Sequence, residues 1–84
     1  MTDISPKSVP DLSILSPAFA RRAWLRWLSD HDEPTGQAAT DAENVMLAIK
    51  EFAMNYGRDS EEQSRKNLAA RVATFQTSFT QAAD

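Results

Sequence analysis

Asp30-His31-Asp32-Glu33 is where this sequence gathers metal-ligating and proton-transferring side chains. An imidazole among carboxylates has the composition of a general base or of a divalent-metal site. The spacing supports neither. Consecutive loop residues rarely converge on one ion, no second His or Cys cluster completes a shell, and the run does not follow the calcium-loop pattern. The chain has one histidine, no cysteine and two glycines. It has neither a G-x-S-x-G elbow nor a Walker-type loop, and nothing places an oriented nucleophile near His31. At 84 residues there is also little material for an enclosed pocket. The run is therefore expected to be a solvated acidic turn, with no metal, no cofactor and no catalysis.

The second chemistry-bearing stretch is Arg21-Arg22-Ala23-Trp24-Leu25-Arg26-Trp27-Leu28, with no acid between Leu12 and Ser29. A basic segment with aromatic residues can contact phosphates or lie on a membrane surface. A small domain needs its tryptophans inside, so the Trp face is expected in the core. Arg22 and Arg26 then point outward, and arginine is enriched where proteins bind proteins. The net charge of −3 and pI near 5 argue against a general polyanion binder. Gly57-Arg58-Asp59 is a short turn of the kind found in helix-turn-helix motifs. The helix after it would offer Asp59, Glu61 and Glu62 to DNA, which phosphates repel. A nucleic-acid-binding regulator using Arg21, Arg22 and Arg26 remains the runner-up reading.

These residues must be positioned by helices, because no stretch alternates apolar and polar residues over a useful length. The expected architecture is all-α: a small three-helix bundle, residues 16–84, with an extended N-terminal arm, residues 1–15. Pro6 and Pro10 keep the arm non-helical, and Val9-Pro10-Asp11-Leu12-Ser13-Ile14-Leu15 is apolar enough to dock. The rival reading makes that stretch a linear motif for a partner.

The first helix, about 16–29, opens at Ser16-Pro17, with a weak Leu15/Ala20 staple. Its apolar face is Phe19, Ala20, Ala23, Trp24, Trp27 and Leu28. The second, about 40–56, is expected to start at a capping box of Thr40 and Glu43 and to stop at Gly57. Its stripe is Ala42, Val45, Met46, Ala48, Ile49, Phe52, Ala53 and Tyr56. The third, about 59–82, has Glu61 and Glu62 in its first turn and the seam Leu68, Val72, Phe75, Phe79. From Ala69 to Ala83 its only charge is Arg71, so cover by a second copy or a partner is one reading of that helix.

Leu47 and Met54 share a face of the second helix, and that face is not its core stripe. They stand among Glu43, Lys50 and Glu51. Docking of the arm or packing of the third helix would cover them; otherwise they form an intermolecular contact. The expected function is a small non-enzymatic protein-binding module: an adaptor, inhibitor or regulatory subunit. Its contacts are Leu47 and Met54 flanked by Lys50 and Glu51, with Arg22 and Arg26 as second choice. A structural homodimer is the remaining alternative. No run approaches the ~20 apolar residues of a membrane span. Met1-Thr2-Asp3-Ile4-Ser5-Pro6 does not have the make-up of a signal peptide, so a cytoplasmic location is the default expectation.

Overall fold

Ser16 caps the first helix, its hydroxyl accepting from the Phe19 N–H, and Pro17 occupies the first helical position without losing a hydrogen bond. In the computed structural model, which describes residues 9–31 and 33–83 with side chains as far as residue 80, three helices follow one 3-10 turn. The turn is Leu12–Ile14; the helices are α1, Pro17–Ser29, α2, Gln37–Asn55, and α3, Glu61–Ala83. There is no strand among the described residues. The molecule is an all-α three-helix bundle. The first half of the expected arm, residues 1–8, lies outside the described residues, as do Asp32 and Asp84.

α2 departs from the expected start. It begins at Gln37 behind Gly36, whose φ of 61° and ψ of −133° suit glycine alone, and no side chain caps it. Thr40 is already inside the helix, with its N–H bonded to the Gly36 carbonyl, so the Thr40–Glu43 capping box does not form. Tertiary contacts hold the extra turn. Ala38 and Asp41 are buried, and the Asp41 carboxylate accepts from the Ser78 hydroxyl on α3 and from the Gln37 amide at 3.1 Å.

The α2–α3 turn is closed by local polar bonds. Gly57 takes φ 81°, and its N–H donates to the Glu61 carboxylate at 2.9 Å. Asn55 donates to the Glu51 carbonyl and the Ser64 hydroxyl, and accepts from Ser60. Asp41 meets Ser78, Glu51 meets Asn67 and Asn55 meets Ser64, so α2 and α3 run antiparallel along most of their length. Such a hairpin is not the ~90–120° crossing of a DNA-binding helix-turn-helix.

α1 packs on this hairpin through large rings. Trp24 meets Phe75 edge-on at 5.0 Å, while Trp27 meets Phe75 and Phe79 edge-on at 5.5 and 5.1 Å. Ala20, Trp24 and Trp27 are buried with Val45, Ala48, Ile49, Phe52, Leu68 and Phe75. Ala23, Leu28, Ala42, Met46, Val72 and Phe79 pack around them. Three expected core residues lie outside. Phe19 is 59% exposed, Tyr56 is about half exposed with its ring edge against Phe52, and Ala53 is exposed. All three sit at the margins of their stripes, and no element among the described residues covers them.

Residues 9–15 lie against α3. The Val9 N–H donates to the Gln76 side chain at 2.7 Å, Leu12 is fully buried, and Arg65 donates to the Ser13 and Leu15 carbonyls. Burial of one leucine contributes about 1.5–3 kcal/mol.

Candidate functional site

The outer face of α2 is presented by a helix whose inner face is filled. Val45, Ala48, Ile49 and Phe52 face the core, which turns Leu47 and Met54 away from it. Leu47 is 59% exposed and Met54 is 72% exposed. Neither the described part of the arm nor α3 covers them. Lys50 stands between them, also exposed. Glu51 is exposed too, and its carboxylate accepts from the Asn67 amide at 3.3 Å, which makes it the edge of this face towards α3. The Asn55 bonds just beyond Met54 hold the end of α2 in place, so the stripe is carried on a fixed element rather than a loop.

Arg22 and Arg26 are exposed on α1, one turn apart. They line a shallow groove of about 280 Å³ together with Leu15, Phe19 and Ala23. The Arg22 guanidinium lies 5.8 Å from the centre of the Phe19 ring. No residue of the α2 stripe lines this groove. The six residues expected from sequence to make contact, Leu47, Met54, Lys50, Glu51, Arg22 and Arg26, therefore fall into two separate patches. Sequence reasoning missed the groove because it placed Phe19 in the core. The available signal was its position at the edge of the α1 apolar arc, about 100° from Ala20.

His31, the single histidine of the sequence, is engaged structurally. Its ring stacks on Trp27 at 4.0 Å, and Nδ1 lies 2.8 Å from the Trp27 carbonyl, so Nδ1 carries the proton and donates. No three metal-ligating side chains converge among the described residues. The acidity of Glu61 is displaced. The Gly57 N–H, and then the Arg65 guanidinium, hold its carboxyl below the ordinary value. Arg65 itself sits 4.6 Å from the centre of the Phe52 ring while it bonds the arm. Glu61 and Arg65 together clamp the turn and the arm to α3; neither lies in an exposed apolar patch. No helix among the described residues is long and apolar enough to cross a membrane.

The chain matches no protein-family model, no curated protein and no solved structure.

Proposed function

We propose that the chain is a small non-catalytic protein-binding module, an adaptor, inhibitor or regulatory subunit, that engages its partner through the outer face of α2. The observation that carries this reading is the exposure of Leu47 and Met54 on a helix whose opposite face is already packed. Two large apolar side chains seven residues apart are spaced as the anchors of a helix that lays one face into a groove. Their exposure costs solvation that the fold does not recover. Lys50 and Glu51 supply the polar flank that sets orientation more than affinity.

The test is a pull-down with the tagged chain from its native host, treated with nuclease, with light scattering on the eluate. A stoichiometric partner retained by the native chain and lost by Leu47→Glu/Met54→Glu, at unchanged helicity, supports the reading. Retention of that partner by the double variant removes α2 from the contact. Recovery of the chain alone at twice its 9.3 kDa mass moves the function to self-association.

A further inference from the structure

We propose that the groove along α1 is a second contact surface, which takes an acidic segment of a partner protein and seats one large apolar side chain on Phe19 between Arg22 and Arg26. The inference rests on the binding-module reading and adds to it the chemistry of the partner.

The floor of the groove is apolar, formed by Leu15, Phe19 and Ala23, and its rim carries two cations on one helix face. At about 280 Å³ it falls just below the ~300–1,000 Å³ of small-molecule sites. That size suits one anchoring side chain. Charge selects the occupant. Arg21, Arg22 and Arg26 are exposed, and no carboxylate among the described residues pairs with any of them, whereas Arg65 and Lys66 each have an acid one turn away. α1 contains no acidic residue, although the chain as a whole carries −3. The positive strip attracts an acidic segment locally, while the net negative charge of the rest of the molecule repels generic polyanions. A carboxylate pairing with a guanidinium at the rim of an apolar floor makes a charge-assisted, bidentate bond. Two carboxylates one helical turn apart would meet Arg22 and Arg26 together. A concave apolar floor also favours a protein side chain over a lipid surface or a nucleic-acid backbone, since neither projects a single apolar group.

The experiment pans a randomised helical-peptide library on the full chain, counter-selected with the Arg22→Glu/Arg26→Glu variant. Both arginines are exposed and neither pairs with a carboxylate among the described residues, so that variant is expected to keep its helicity; Arg22→Gln/Arg26→Gln is the control if it does not. The expected result is enrichment of peptides with Asp or Glu beside a large apolar residue. Their affinity should fall about tenfold or more on charge reversal and weaken with added salt. Their amide shifts should centre on Leu15, Phe19 and Ala23. Enrichment of neutral or basic peptides, or shifts centred on Leu47 and Met54, would overturn the proposal. So would preferential arginine-dependent binding to phosphatidylserine-containing vesicles or to an oligonucleotide. If the Leu47/Met54 variant loses its partner while the Arg22/Arg26 variant keeps it and no peptide is enriched, the α1 proposal fails and the α2 reading stands.

Discussion

Asp41 shows how one side chain sets a helix boundary. It shares the register of Val45, Ala48 and Phe52, so the α2 stripe carries a carboxylate into the interface with α3, where it is 5% exposed. Ser78 and Gln37 satisfy it. Asp41→Ala removes the acceptor of both bonds, and the expected loss is about 1–3 kcal/mol, read from the urea midpoint. A change below about 0.5 kcal/mol would mean the bond is worth nothing net. Glu61 is the counterpart in the turn. Its folded pKa is lowered by the Gly57 N–H and the Arg65 guanidinium, so its contribution is present above the ordinary carboxylate titration range and is lost as pH falls through the lower folded value. An acid melting series should show a loss of stability there that Glu61→Gln reduces. An identical acid slope in the variant would assign that loss to other carboxylates.

At the level of elements, the arm and the α2 start depend on a few anchors. Arg65 holds the Ser13 and Leu15 carbonyls through a charged donor, an interaction of about 1.5–3 kcal/mol. Arg65→Ala should therefore accelerate amide exchange at Leu15 about tenfold or more; unchanged protection would leave Leu12 burial and the Val9–Gln76 bond as the anchors. Leu12→Ala removes that plug, at an expected cost of about 2–5 kcal/mol in thermal melts. Gly36→Ala meets no atom within 4 Å, so its cost is backbone strain alone, about 1–3 kcal/mol.

At the level of the whole molecule, the radius of gyration is 13.0 Å, against about 12 Å for a compact chain of 84 residues. The extents of 43 × 27 × 17 Å describe a flattened, elongated body with much surface for its core. On that surface lie Phe19, Leu47, Met54 and Tyr56. Substituting Leu47 and Met54 by glutamate should change stability by less than about 0.5 kcal/mol. A larger loss would tie both residues to the fold. A melting temperature that rises with protein concentration would indicate a homodimer.

The sequence by itself determined the helices and their inner faces. The Ser16-Pro17 start, Gly57 at the end of α2 and the Leu68, Val72, Phe75, Phe79 seam are local signals, set by the 3.6-residue period and by caps whose bonds span a few residues. It also singled out Leu47, Met54, Arg22 and Arg26. What it left open was decided by contacts between residues far apart in the chain. Asp41 with Ser78 drew α2 back to Gln37 against the local capping box. Arg65 and Gln76 received the arm. The margins of each apolar arc became core or surface according to whether another helix lay over them. Periodicity gives the direction of a side chain, but only the packed bundle gives what, if anything, stands opposite it.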